Sequence, residues 1–200
     1  MTEQVTLTSP AGVGASASRG RGPGQEGSSA SSTSIPEGTS VVRVTSAPDG
    51  RPISAAARTR INRSVAKVWA TIDDLEKFAD HLPMVNHARR RGDLVTFDLK
   101  FRIGFFSVGF AFTTAAKYEA ERWIELTWVS GEPRDIRMRF TLSPIEGEDA
   151  CLVETEAEFD LQSLGWLVKY FLKHHPEIQH GIFPGLTLVL LDSIRRATAA

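Results

Sequence analysis

The segment from Leu94 to Leu161 alternates between apolar and polar residues, and this alternation constrains the fold more than any other feature of the chain. In its first part, Phe97 and Leu99 are apolar, whereas Asp98 and Lys100 are charged. A period of two residues is typical of a β-strand that has one buried face and one solvated face. Turn residues divide the segment, so we predict five consecutive antiparallel strands.

The turns between these strands predict how the strands pair. A two-residue hairpin between the first two strands places Leu99 opposite Phe110. The same parity then places Glu125 beside Arg139 on the other face, and the last loop places Arg139 opposite Glu154. Opposite charges across a strand pair stabilise it by up to roughly 1 kcal/mol. The apolar pattern and the charge pattern therefore predict the same meander independently.

The predicted buried face carries no Asp, Glu, His, Lys or Arg, and other segments have to cover it. Either helices fill the interior completely, or the sheet curls around a helix and leaves an apolar cavity for a ligand. For the second case, the candidate ligand-binding residues are Phe97, Leu99, Phe101, Phe110, Phe112, Tyr118, Leu126, Trp128, Met138, Phe140, Thr155, Phe159, Leu186 and Leu190. The polar side chains that could orient a ligand are those of Tyr118, Thr155 and Trp128, together with Thr114.

Helical periodicity appears on both sides of the predicted meander. Residues 64–81 have the pattern of two short helices, and Ser64 is suited to cap the first. After Leu161 the apolar residues again recur at helical spacing. Pro176 and Pro184 interrupt this last part, so we expect a broken helix or two helices in place of one straight helix.

The first 38 residues have a different composition from the rest of the chain. Ser, Gly, Ala and Thr dominate them, and few of their side chains could offset the conformational entropy lost on folding. We predict a disordered N-terminal tail at 1–38, which is left open as a docking segment for an unidentified partner. The folded domain is predicted at 39–200.

Charge and cysteine content limit the classes of function. The formal net charge is −1, which gives no reason to expect a nucleic-acid partner. The single cysteine, Cys151, excludes an internal disulfide and suits a reducing compartment, so a cytoplasmic location is expected. The longest apolar run, at 182–191, is too short to span a bilayer, and peripheral membrane contact is left open.

The histidines do not form a recognisable metal-binding motif. His174, His175 and His180 do not share a helix face, and no acidic or cysteine ligand is spaced to complete a tetrahedral set. We therefore expect neither a metal site nor another cofactor.

Two segments resemble motifs of the START-like (SRPBCC) superfamily, in particular its polyketide cyclase-like and coenzyme Q-binding branch. They are INRSVAKVWATIDDLEKFADHLP at 61–83 and LTWVSGEPRDIRMRFTLSP at 126–144. The resemblance covers about residues 55–198. It implies an α+β helix-grip fold, in which a curved antiparallel sheet wraps around a C-terminal helix and two short helices follow the first strand.

The resemblance also implies a function, which is binding or transport of a hydrophobic small molecule such as a prenylquinone, a lipid or a polyketide-like compound. Each buried methylene contributes roughly 0.8 kcal/mol, so an apolar cavity gives affinity without a charged anchor. The alternative is a polyketide aromatase/cyclase, for which the sheet would offer only Tyr118 and Thr155, and no catalytic residue is assigned. A third hypothesis, an interaction module recruited through the tail, has little support because the outer face carries mixed charges.

Overall fold

The structure is a computed structural model that describes residues 2–8, 35–103, 106–163 and 165–199. Within these ranges, the side chains of residues 2–8, 101–103, 106–108, 162, 165–167, 171 and 176 are not described.

One antiparallel sheet of nine strands forms the larger part of the described fold. Its strands are β1 (Thr2–Thr8), β2 (Thr39–Ser46), β3 (Pro52–Ile61), β4 (Val85–Arg91), β5 (Leu94–Ile103), β6 (Phe106–Glu119), β7 (Trp123–Gly131), β8 (Arg134–Pro144) and β9 (Cys151–Asp160). The order across the sheet is β1-β2-β3-β9-β8-β7-β6-β5-β4. The predicted five-strand meander therefore corresponds to β5 through β9, and β3 joins its end.

Most of the predicted register is confirmed. Leu99 lies opposite Phe110, and Glu125 lies opposite Arg139. The turn residues 104 and 105 lie outside the described part of the chain. The pairing of β8 with β9 differs from the prediction, because Arg139 lies opposite Glu156 and not opposite Glu154. A shift by two residues keeps every side chain on the same face, so the alternation could not detect it.

Four helices cover one face of the sheet in the described residues. They are α1 (Val65–Asp73), α2 (Leu75–Ala79), α3 (Gly165–His174) and α4 (Gln179–Ala199). Ser64 caps α1 as predicted, since its hydroxyl accepts a hydrogen bond from the Lys67 backbone N–H at 3.4 Å. The Asp74 carboxylate caps α2, and hydrogen bonds from Lys77 lower the pKa of this carboxyl group.

The C-terminal helix α4 packs along β3, β9 and α1, which gives the helix-grip arrangement. The predicted fold class is therefore confirmed. Two helices occupy the final segment, as one of the two expected arrangements, but they separate at the short 3-10 turn Pro176–Ile178. Pro184 lies inside α4, where an interruption was expected.

Packing around Pro184 explains why the helix continues through it. A proline inside a helix costs about 3 kcal/mol, because it removes one hydrogen bond and crowds the preceding turn. On either side of it, Phe183 and Thr187 are almost fully buried. The Thr187 hydroxyl donates to the Pro184 carbonyl at 3.0 Å. We attribute the unbroken helix to this local packing, which offsets the cost.

The N-terminal region differs from the prediction where it is described. Residues 2–8 form β1, which pairs antiparallel with β2 and places Val5 opposite Val42, whereas a disordered tail was expected there. Val5 and Leu7 alternate with polar residues in this short segment, which is a strand pattern that the Ser- and Gly-rich composition of the tail obscured. Residues 9–34 of the predicted tail lie outside the described part of the chain.

The free thiol of Cys151 provides a test of the packing under the sheet. Cys151 begins β9 and is completely buried. Burial, with a smaller contribution from the charge of Asp149, raises the pKa of Cys151 to about 11. Because the thiolate is the reactive form, we expect the folded protein to resist iodoacetamide at mildly alkaline pH and the urea-unfolded protein to react fully. Intact-mass measurement checks this result, and equal labelling of both forms would contradict the described packing.

Candidate functional site

An apolar cavity of about 640 Å³ lies between the sheet and the helices. Its wall is entirely apolar, and both the strands and the helices contribute side chains to it. The strand-side lining residues are Val85, Phe97, Leu99, Phe110, Phe112, Leu126, Ile136, Met138, Phe140 and Phe159, with Pro133 from the loop between β7 and β8.

Three helices and the segments next to them close the cavity. From α2 and the chain that follows it come Leu75, Phe78, Leu82 and Met84. From the C-terminal part come Leu161, Val168, Tyr170, Leu172, Ile178, Ile182, Leu186 and Leu190. The cavity is therefore enclosed by the meander on one side and by α2, α3 and α4 on the other.

We infer that the cavity opens at α3 and the 3-10 turn after it, because the two exposed residues of the described lining lie there. Tyr170 and Ile178 both line the cavity, yet 59% and 37% of their surfaces are exposed to solvent. In contrast, Leu126 and Phe140 at the sheet side of the cavity are almost fully buried. A molecule that enters the cavity would therefore pass Tyr170 and Ile178.

The structure brings ten of the predicted site residues together at this cavity. They are Phe97, Leu99, Phe110, Phe112, Leu126, Met138, Phe140, Phe159, Leu186 and Leu190. The side chain of Phe101 lies outside the described part of the structure.

The polar residues that were predicted to orient a ligand lie elsewhere. Tyr118 is half-exposed near the end of β6, where its ring packs against Trp69 at a centroid distance of 6.3 Å. The Arg90 guanidinium lies over the same tyrosine ring, 5.7 Å from its centroid. Tyr118 therefore belongs to the contact between β6 and α1 and not to the cavity wall.

The other three polar residues that were predicted to orient a ligand use their polar groups in hydrogen bonds within the protein. The Thr155 hydroxyl donates to the Thr187 carbonyl at 3.2 Å and so connects β9 to α4. The Trp128 indole N–H donates to the Gly131 carbonyl at 3.2 Å. The Thr114 hydroxyl donates to the Val95 carbonyl at 3.4 Å. The sheet thus uses its inward polar groups for its own structure.

Sequence reasoning missed the contribution of α2 and α3 to the cavity. Leu75, Phe78 and Leu82 are spaced three and four residues apart, which is a signal for one apolar helix face. This spacing predicts a buried face but not the part of the interior that the face contacts.

Charged groups are gathered on the outer face of the sheet, away from the cavity. Arg137 and Arg139 donate to the Glu125 carboxylate at 3.0 and 3.1 Å. These bonds, and the one from Arg137 above all, lower the pKa of Glu125. The arrangement agrees with the predicted solvated face. Within the described residues, no group of three or more His, Cys, Asp or Glu side chains is arranged to hold a metal ion.

Comparisons with known proteins agree with this architecture. The family model for CoxG, a subunit of carbon monoxide dehydrogenase, matches residues 58–132, which is less than half of the chain. No curated protein matches the chain significantly. Among solved structures, TTHA0849 from Thermus thermophilus is 12% identical with a TM-score of 0.56, over 72% of this chain and 95% of that one. The protein has the START-like helix-grip fold.

Two further structures share this START-like fold. A conserved protein from Geobacillus kaustophilus is 15% identical with a TM-score of 0.55, over 74% of this chain and 95% of that one. The di-domain ARO/CYC protein BexL from the BE-7585A biosynthetic pathway is 12% identical with a TM-score of 0.51. That match covers 74% of this chain and 50% of BexL. None of the helices in the described ranges is long and apolar enough to cross a membrane.

Proposed function

We propose that this START-like protein binds a hydrophobic small molecule in its apolar cavity and carries the bound molecule without changing it chemically. The observation that supports the proposal is the cavity itself, with about 640 Å³ of space and an entirely apolar wall. Protein interiors normally contain few voids larger than a water molecule, so an empty space of this size is a feature that packing alone does not require.

The volume sets the size of the ligand. An engineered protein cavity of roughly 150 Å³ holds one benzene molecule, which corresponds to about 25 Å³ per carbon atom. By this measure a cavity of 640 Å³ accommodates about 25 carbons. A prenylquinone side chain of four or five isoprene units, a long acyl chain or a polyketide-like molecule fits this range, and each buried methylene would add roughly 0.8 kcal/mol of affinity.

Peripheral contact with a membrane belongs to the same proposal. Tyr170 and Ile178 expose part of their surfaces at the opening, where a hydrophobic ligand would transfer between the cavity and a lipid phase. We place the binding domain at residues 39–200, to whose sheet β1 adds one strand. A docking role for the other residues before 39 and a cytoplasmic location remain part of the proposal.

The aromatase/cyclase alternative is compatible with the fold, which BexL shares. Cyclisation needs a proton-transfer group within hydrogen-bond reach of the substrate. Among the described lining residues, Tyr170 at the opening is the one with an ionisable side chain. The wall therefore supports binding through apolar contact more directly than it supports catalysis.

Two measurements on the purified full chain test the proposed function. We expect organic extraction followed by mass spectrometry to recover a co-purified hydrophobic molecule, and titration with an apolar fluorescent probe to show saturable binding at one site. Absence of both results would contradict the proposal. Turnover of a poly-β-ketone substrate analogue would favour the cyclase alternative instead.

A further inference from the structure

A hydrophobic ligand with a polar end cannot satisfy that end inside this cavity. The wall is entirely apolar, and burying a hydroxyl group without a hydrogen bond is unfavourable. The inward polar groups of the sheet, those of Thr114 and Thr155, donate to backbone carbonyls. The polar end of a bound molecule therefore has to remain at the opening.

Tyr170 occupies the border between the cavity and solvent at this opening. Val168 and Leu172, one turn apart on α3, both line the cavity, and Leu172 is buried. Tyr170 lies between them in sequence, lines the same cavity and is nevertheless 59% exposed. Its side chain is the one in the described lining that carries a hydroxyl group, and no hydrogen bond joins this hydroxyl to a described residue.

His174 stands next to Tyr170 with a defined orientation. The two rings lie 4.2 Å apart between centroids, and His174 Nδ1 lies 2.8 Å from the Tyr170 backbone carbonyl. A carbonyl only accepts hydrogen bonds, so this contact assigns the hydrogen to Nδ1 and leaves Nε2 of the neutral imidazole as an acceptor. His174 is exposed and lies outside the cavity lining, and no polar surface belongs to the wall, so the phenol donor and the imidazole acceptor stand side by side on the solvent side of the opening.

We propose that Tyr170 and His174 form a head-group site for a long-chain molecule that ends in a hydroxyl group. The Tyr170 hydroxyl donates to the ligand oxygen, and the ligand hydroxyl donates to His174 Nε2, while the chain fills the cavity. This inference rests on the proposed function and adds the chemistry of the polar end. An ether in place of the hydroxyl would keep only the bond from Tyr170.

The test uses three C20 isoprenoid probes that compete with an apolar fluorescent probe for the full chain. The probes are geranylgeraniol, its methyl ether and the hydrocarbon with the same skeleton. We expect Tyr170→Phe to weaken binding of the alcohol and the ether by about three- to tenfold, which is the range for one neutral hydrogen bond, and to leave the hydrocarbon unchanged. We expect His174→Ala to weaken binding of the alcohol alone by a similar factor.

Tyr118→Phe is the matched control, because the chain has only two tyrosines and Tyr118 lies outside the cavity lining. It should change none of the three affinities. Equal effects of Tyr170→Phe on all three probes, or no effect on any of them, would overturn the head-group site while leaving the binding function standing. Failure of the native protein to bind even the hydrocarbon would instead overturn the proposed function, and with it this site.

Discussion

Gly131→Ala is expected to lower the free energy of unfolding by about 2–5 kcal/mol, since it combines backbone strain with a steric clash. Gly131 ends β7 with φ of +92°, a conformation that residues with a Cβ atom rarely adopt. A Cβ atom at this position would lie 2.1 Å from the Ala111 carbonyl oxygen and 2.6 Å from Phe112 Cα. Both atoms belong to the backbone of β6, so no change of rotamer relieves the clash.

Urea unfolding followed by circular dichroism measures this loss, and Gly109→Ala supplies the matched control. Gly109 lies in β6, and a Cβ atom there would meet only the Leu99 carbonyl oxygen at 3.7 Å, which is ordinary contact. We expect this control to be neutral or slightly stabilising, because glycine is costly inside a strand. Equal stability of the two variants would contradict the close approach of β7 to β6.

The clash in Gly131→Ala would also disturb the wall of the cavity. A side chain at position 131 would displace the Cα atom of Phe112. Phe112 also lines the cavity. The glycine therefore connects the geometry of the β7 end to the shape of the space in which a ligand would bind. We expect any folded fraction of Gly131→Ala to bind hydrophobic probes more weakly than Gly109→Ala does.

The alternation of apolar and polar residues predicted which face each strand residue occupies, because side chains on a strand have a period of two. This explains why Leu99, Phe110 and Met138 were correctly expected to share one face of the sheet. The same period cannot fix the position of one strand along another when the shift is two residues. The pairing of Arg139 with Glu156 is the example, since charge and parity are both preserved in the wrong register.

The face of a residue also does not determine what covers it. Tyr118 points to the predicted side of β6, but it lies near the strand end, where Trp69 of α1 packs against it. Thr155 is inward-facing as predicted, yet its hydroxyl is used by the carbonyl of Thr187 in α4. Strand periodicity could not predict either placement, because the positions of the helices depend on tertiary packing that this periodicity does not encode.

The presence of a cavity was the least predictable feature. An apolar interior looks the same in sequence whether its helices pack tightly against the sheet or leave space. The position of α3, which brings Tyr170 to the opening, depends on where the chain turns at Pro176–Ile178. Sequence reasoning detected the helical stripe but could not assign Tyr170 to the border of a cavity.

Met138→Trp is expected to shorten the longest chain that the cavity accepts by about six carbons. Met138 lines the cavity from β8. Tryptophan has about six more side-chain non-hydrogen atoms than methionine, and at roughly 25 Å³ per atom these would occupy about 150 Å³. Six lost methylene contacts at roughly 0.8 kcal/mol each amount to about 5 kcal/mol, so ligands that fill the native cavity should bind at least about a thousandfold more weakly.

Dissociation constants for a series of alcohols of increasing chain length would measure this effect. In the native protein, affinity should rise with length up to about 25 carbons, the capacity estimated from the cavity volume, and then level off. In Met138→Trp the chain length at which affinity levels off should fall to about 19 carbons. Shorter chains should keep their affinity because they do not reach the filled region. Met138→Leu, a replacement of similar volume, controls for the position and should leave this chain length unchanged.

Leu99→Trp is expected to shorten the accepted chain length in the same way, because Leu99 lines the cavity from β5. Thermal unfolding monitored by circular dichroism separates loss of space from loss of folding, since a folded variant with a shortened limit has lost capacity alone. A limit that stays the same in both folded tryptophan variants would place the ligand outside this cavity. Affinity that depends on chain length would then have to come from the surface, where no enclosed volume sets a limit.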